Sequence, residues 1–345
     1  MNKKLVIFII IFFFLSSFFT YIFYIRIYHP NIVLPSDNNE YYIDIPTNAT
    51  FEMVVEILSN DNLLINSNSF EWLAKQKNYY NNIKPGRYKV RDALNNNQLI
   101  NLLRSGNQAP IKLKFNNLRT KEDLAKKVSE QLELDSISIL SYITNQDFLN
   151  KLSLDSYNVS CLFIPNTYEF YWNTSAEDFA ERMVLEYEKF WNQERTKKAK
   201  EIGLTYLEVS ILASIVEKEQ NIKIDERSDI AGLYLNRINK NMKLESDPTL
   251  IFAIGDFSIN RVLNKDKKVE SPFNTYKYKG LPPGPICIPS INAIDAVLNA
   301  SDHDYIFMCA KEDFSGYHNF ATNYRDHLKN ARRYQKELNK RRILR

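Results

Sequence analysis

Glycine is scarce in this chain, with eight residues in 345, and none of them forms a glycine-rich phosphate loop. Cysteine is scarcer still. Cys161, Cys287 and Cys309 are widely separated, show no metal-ligand spacing and sit in apolar sequence, the usual setting of a small buried thiol. Their odd number leaves at least one unpaired within the chain. The four histidines, His29, His303, His318 and His327, include no His-x-x-x-His pair, so neither a metal nor another cofactor is expected. A formal net charge of +4 is too small to argue for nucleic acid. The most basic stretch is the end, Arg332, Arg333, Lys336, Lys340, Arg341, Arg342 and Arg345. It reads as a solvated helix end, with attraction to an anionic membrane or wall surface as the alternative.

One long hydrophobic run is present. After Met1-Asn-Lys-Lys4 the chain stays uncharged from Leu5 to Ile25, and Arg26 follows. About 20 apolar residues span a bilayer core, whereas a secretory signal has a shorter apolar region and a small-residue cleavage site. Bulky Phe, Tyr and Ile fill the end of this run and no cysteine lies near it, so an uncleaved single-pass anchor is expected. Lys3 and Lys4 favour a cytoplasmic amino terminus, although Arg26 and His29 reduce the asymmetry. The remaining roughly 320 residues would then lie outside the cytoplasm, on the periplasmic side of an inner membrane, and suffice for two domains.

The expected fold class is α+β. Residues 1–4 form a short cytoplasmic end, 5–25 the transmembrane helix and 26–41 a linker marked by Pro30, Pro35 and Ser36-Asp-Asn-Asn-Glu40. A small α+β module occupies 42–115, with strands at 42–45, 87–90 and 111–115 and helices at 51–58, 69–79 and 95–104. A larger mixed α+β domain occupies 116–345. It has helices at 121–132, 137–144 and 147–152, an aromatic-rich segment from Leu162 to Trp172, and one long helix from Ala176 to Glu194. Thr205 and Glu208 have the spacing of a capping box for the next helix. A helix from Asp225 to Ile238 comes next, and Asp247-Pro248 reads as an N-cap and first-turn proline. Two irregular loops, 271–276 and 280–286, suit a ligand cleft. A helix at 290–298, a strand at 304–310 and a final helix complete the domain.

The most informative stretch is Ile215-Val216-Glu217-Lys218-Glu219, closing an otherwise apolar helical segment that begins at Tyr206. Residues three, four and seven apart share a helix face. Glu219 follows Val216, Ile215 and Leu212 at those spacings, within an apolar stripe, whereas Glu217 follows Ser210, Ala213 and Ser214. At about 100° per residue the two carboxylates stand about 200° apart and cannot enter one cleft. An acid among apolar neighbours loses hydration, so its protonated form persists towards neutrality, as a general acid requires. The local pattern leaves a second reading open, because charged residues also gather in solvent at helix ends.

Several motifs occur in one order: Ala213-Ser-Ile-Val-Glu-Lys-Glu219, Ser246-Asp-Pro-Thr249, Phe273-Asn-Thr-Tyr276, Gly280-Leu-Pro-Pro-Gly-Pro-Ile286 and Gly316-Tyr-His-Asn-Phe320. In this the chain resembles the endolytic murein transglycosylases, the membrane-anchored MltG/YceG-like proteins, over nearly its whole length. Cys287-Ile-Pro-Ser290 departs from the family's Asn-Pro-Gly-like turn, and Asn299-Ala-Ser301 from its proline-bearing helix end. The first module resembles the family's LysM-like subdomain, with Gly86-Arg-Tyr88 as landmark. The resemblance implies peptidoglycan glycan strands as substrate, cut at the β-1,4 bond between N-acetylmuramic acid and N-acetylglucosamine with formation of a 1,6-anhydro end. It also implies termination of nascent strands, peptidoglycan synthases as partners, and assistance from the substrate's N-acetyl group.

Within that resemblance Glu219 corresponds to the catalytic acid and Glu217 is its structural neighbour. Asn274 and Thr275 would hydrogen-bond the sugars, Tyr276 would stack on one, and Tyr168 and Phe170 would line the same groove. Strand alternation turns Glu169 away from Tyr168 and Phe170. Asp247 and Thr249 support the site, while His318 and Phe320 close the cleft. Two other readings are a hydrolytic muramidase, in which the same acid activates water, and a non-catalytic wall-binding scaffold.

Overall fold

The computed structural model describes residues 3–35, 40–259 and 261–341. Arg342 and Arg345 of the basic end, residues 36–39 of the expected linker and residues 1–2 lie outside the described residues. Helix α1, Lys3–Tyr28, has no buried residue. Among the described residues it is the one helix long and apolar enough to cross a membrane. The mixed α+β class holds, with helices dominant and the strands confined to small two-stranded sheets.

The chain forms two compact units. In the first, strand β1 (Glu40–Ile45) pairs antiparallel with β2 (Gly86–Arg91). Alternation places Ile43, Ile45, Tyr88 and Val90 in the core, while Arg87 grips Asp44 with two bonds of 2.6 Å on the other face. Helices α2 (Phe51–Asn60), α3 (Ser67–Gln76) and α4 (Asn96–Ser105) close the core, each begun by a side-chain cap from Thr50, Asn66 or Asn95. Gly86 is required where it stands: its φ is +130°, and a Cβ there would fall 2.1 Å from the Gln108 side chain.

The expected linker is in part a core segment. Pro30 and Ile32 form bridges to Asn95 and Leu64, and Ile32 is 1% exposed. Asn31 donates to the Asn66 carbonyl and to Asn96 Oδ1, and its own Oδ1 accepts from Asn66 N. Prolines and polar residues suggested a tether, but here they form a turn whose polar groups are satisfied internally. The same unit also takes in Gln131–Leu134 and Tyr168–Thr174, so the chain enters it three times. Glu133 is tied to Thr47 there through bonds of 2.7 and 2.5 Å.

Strand β3 (Ile111–Phe115) pairs with β4 (Asn166–Phe170). The second unit begins with helices α5 (Lys121–Ser129), α6 (Ser136–Ile143) and α7 (Gln146–Lys151). The single long helix expected from Ala176 to Glu194 is two helices, α8 (Ala176–Phe190) and α9 (Gln193–Glu201). Trp191 leaves the helix to stack on Tyr206 at 4.8 Å, and the Asn192 side chain caps the new start through Arg195 N. Helix α10, Tyr206–Glu219, opens on the expected Thr205–Glu208 capping box.

Every residue of α10 from Val209 to Glu217 is buried, so the apolar stripe read from the sequence is one side of a helix enclosed on all sides. Around it pack α9, α11 (Arg227–Asn239), α12 (Asp247–Ile254) and α13 (Ile291–Leu298). Strands β5 (Phe307–Ala310) and β6 (His318–Ala321) form an antiparallel pair, against which the terminal α14 (Tyr324–Lys340) rests.

Candidate active site

Helix α10 ends at Glu219, where the enclosing elements part around a cavity of about 600 Å³. Glu219 and Tyr234 line it, together with Asp247, Tyr276 and a wall from Ile306 to Met308. The Tyr234 and Ser246 hydroxyls both donate to Glu219 Oε1, each at 2.6 Å. Among the described residues Oε2 has no hydrogen-bond partner. Two donors on one oxygen leave the proton of the neutral acid on the other. Burial pushes the Glu219 carboxyl above the ordinary glutamate range. The Ser246 and Tyr234 bonds pull it back, the Asp247 charge raises it again, and His318 lowers it. Burial, then the Glu219 charge and bond, hold the Tyr234 phenol well above its usual range, so it remains a donor.

A buried hydroxyl network fixes the Ser246 donor. Thr275 Oγ1 accepts from Ser246 N at 3.0 Å and lies 2.7 Å from Thr249 Oγ1, which bonds the Ser246 carbonyl at 2.8 Å. Ser246 occupies the N-cap position of α12 but makes no side-chain cap bond, because its hydroxyl is turned to Glu219. The lining also includes Arg237, 6% exposed, whose guanidinium is committed to the Ile306, Lys243 and Leu244 carbonyls and to Glu245. His327 also lines the cavity. Its pKa is lowered by burial and by the Arg237 charge, which favours the neutral ring.

The sequence profile of the YceG-like family matches residues 43–333. The chain belongs to the YceG-like family. A protein of Bacillus subtilis named endolytic murein transglycosylase is 25% identical over 85% of this chain and 84% of its own. A Streptococcus pneumoniae protein of the same name is 26% identical over 95% of this chain, which spans 65% of that longer relative. The crystal structure of a YceG-like protein from Listeria monocytogenes superposes with a TM-score of 0.56 at 26% identity, covering 84% of this chain and 98% of its own.

In this YceG-like chain several residues expected to touch substrate are instead part of the framework. Asn274 and Thr275 are 0% and 2% exposed. Asn274 donates to the Lys267 and Val269 carbonyls and accepts from Tyr276 N, while Thr275 holds Ser246. Their side-chain bonds are already taken within the protein, and they hold the loop beside Ser246. Tyr168 and Phe170 are each 6% exposed and line no part of the cavity, although Glu169 does face away from them as alternation required. They are buried aromatics grouped with the first unit. The Pro-Pro-Gly loop is no cleft wall either. Ile286 N donates to Ser214 Oγ and buttresses α10, and a Cβ on Gly284 would lie 1.9 Å from the Tyr157 carbonyl oxygen.

Phe320 packs on the core and against Tyr305 at 5.4 Å, outside the cavity lining. His318 pairs with buried Glu226 at 2.7 Å, and Glu226 also accepts from Gln220, the residue after Glu219. Burial opposes the Glu226 charge, yet the His318 and Gln220 bonds keep that carboxyl below the usual range. Glu217 is 6% exposed and accepts from Ser290 N and Oγ at 2.7 and 2.6 Å, anchoring the start of α13. Tyr276 and Asp247 do reach the cavity, joined by a 2.5 Å bond from Tyr276 Oη to Asp247 Oδ1. Sequence reasoning missed Tyr234, which sits among leucines on α11, and passed over Ser246 for the aspartate beside it.

Proposed function

We propose that this chain is a peptidoglycan lytic transglycosylase, anchored by α1 with its catalytic unit outside the cytoplasm, and that Glu219 is its acid and base. The observation that carries the reading is a carboxyl at a cavity wall with Oε1 held by two hydroxyls and Oε2 open, and burial raises its pKa. The names of the bacillar and pneumococcal relatives support the same reaction class.

Glu219 Oε2 gives its proton to the oxygen between N-acetylmuramic acid and N-acetylglucosamine as the muramic C1–O bond breaks. The bonding pair leaves with that oxygen, and positive character develops at C1. The ionised carboxylate then takes the proton of the muramic C6 hydroxyl, whose oxygen bonds C1 and closes the 1,6-anhydro ring. Glu219 ends protonated, as it began. Because the nucleophile belongs to the substrate, no water enters.

The full chain in detergent micelles, incubated with purified glycan strands, tests this reading by mass spectrometry. Wild type should release 1,6-anhydro ends, one water lighter than reducing ends, and Glu219→Gln should release none. Reducing ends would establish a hydrolase. No product from wild type, with strand binding unchanged in Glu219→Gln, would establish a scaffold.

A further inference from the structure

Three carboxylates line the cavity. The reaction above uses Glu219, Glu245 is paired with Arg237 at 3.2 Å, and Asp247 remains. Asp247 is the first residue of α12, whose N-cap is Ser246, so helix capping does not account for it. Among the described residues no backbone N–H and no basic side chain bonds its carboxylate. Its partner is the Tyr276 phenol, which donates to Oδ1 and leaves Oδ2 open. That phenol is itself well held, since Tyr276 N donates to buried Asn274 and the Lys267 ammonium lies over its ring at 4.3 Å. The fold therefore orients an exposed acceptor beside the acid, and its bond to Tyr276 occupies only one of its two oxygens.

An ionised carboxylate accepts hydrogen bonds and donates none. The muramic ring at the cut offers few donors. Its oxygens at C1 and C4 are glycosidic, its C3 oxygen carries the lactyl ether, and its C6 hydroxyl must surrender its proton to Glu219. The donor left is the acetamido N–H at C2, adjacent to the reacting carbon. We propose that Asp247 is a second catalytic carboxylate that accepts this N–H and turns the acetamido carbonyl oxygen onto C1, an inference that rests on the transglycosylase reading.

The steps balance. The carbonyl oxygen bonds C1 as the C1–O bond to the leaving sugar breaks, and the departing oxygen takes both electrons and the Glu219 proton. The cation so formed keeps its N–H against the Asp247 carboxylate. O6 then bonds C1 as the bond from C1 to the carbonyl oxygen breaks, returning that pair to the acetamide, and the O6 proton passes to Glu219.

Asp247→Asn retains an acceptor for Tyr276 while removing the charge, so the loop can keep its geometry. In the full detergent-solubilised chain, kcat and KM for anhydro-end release are compared with the affinity for N-acetylmuramic thiazoline, measured at a pH low enough to protonate its ring nitrogen, so that it carries the N–H of the cyclised acetamide. The variant should lose about 10- to 100-fold in both kcat and thiazoline affinity, the range for a hydrogen bond to a charged group, with KM little changed. Equal thiazoline affinity in the two proteins, or a loss carried by KM alone, overturns the role of Asp247 and leaves the transglycosylase reading in place. A wild-type chain that forms no anhydro ends overturns both.

Discussion

Ser246 and Tyr234 put two hydroxyls on one oxygen of Glu219, so deleting either should act on proton affinity as well as orientation. Both bonds stabilise the ionised form, and their loss lets burial raise the carboxyl pKa further. A general acid works below its pKa. Ser246→Ala and Tyr234→Phe should therefore move the alkaline limb of the pH–rate profile to higher pH, while lowering the peak rate about 10-fold as a charge-assisted bond is lost. A downward shift of that limb would contradict the assigned geometry. The same pKa has a stability consequence. The raised value in the folded state makes Glu219 favourable to folding at acid pH, and this contribution fades as pH rises through the folded pKa. Glu219→Gln should then melt above wild type at alkaline pH, with the gap closing towards pH about 4, near the unfolded glutamate value. The apolar surroundings of Glu219 were legible in the sequence through helical phase, although its place at a helix end left a solvated reading open until the cavity was seen. Tyr234 was not legible, since a tyrosine between Leu233 and Leu235 reads as core until its hydroxyl is seen. Asn274 and Thr275 misled for the converse reason: polar residues in a loop suggest a ligand, yet here the loop is buried and consumes their bonds itself.

The two glutamates of α10 face different surroundings, as their helical phase required: Glu219 lines the cavity and Glu217 meets the start of α13. Glu217 receives Ser290 N and Oγ, and Arg227 reaches Ser290 Oγ and Asn292 Oδ1, so the start of α13 is fastened to both α10 and α11. Glu217→Gln preserves an acceptor and should retain most activity. Glu217→Ala leaves the two Ser290 donors without their acceptor and should cost about 2–3 kcal/mol of stability. Thermal unfolding, with turnover measured well below the melting temperature, separates the two effects, and a folded but inactive Glu217→Gln would return the acid role to Glu217. Capping boxes and strand alternation were readable because they are local. The break between α8 and α9 was not, because it depends on Trp191 finding Tyr206 across the fold.

Helix α1 has 26 residues and no buried side chain, a length of about 39 Å against a bilayer core of about 30 Å. Its final turn does not end in a free tether. The Arg26 carbonyl accepts from Asn96 Nδ2 at 2.8 Å, Trp72 lies against Phe23 at 5.5 Å, and the following residues carry Asn31 and Ile32 into the core of the first unit. Composition alone pointed to a linker through residue 41, because prolines and polar residues look the same in a tether and in a turn with satisfied bonds. Where the soluble part begins is therefore a physical question. A chain starting at Arg26 keeps this segment, whereas one starting at Glu40 keeps β1 whole but exposes the pocket of Ile32 and strips Asn66 and Asn96 of their Asn31 partner. Loss of one buried isoleucine and of these hydrogen bonds should destabilise the first unit by roughly 3–5 kcal/mol. Denaturant unfolding of the two truncations, followed by Trp72 fluorescence, measures the difference. Equal midpoints would return residues 30–34 to the role of a tether.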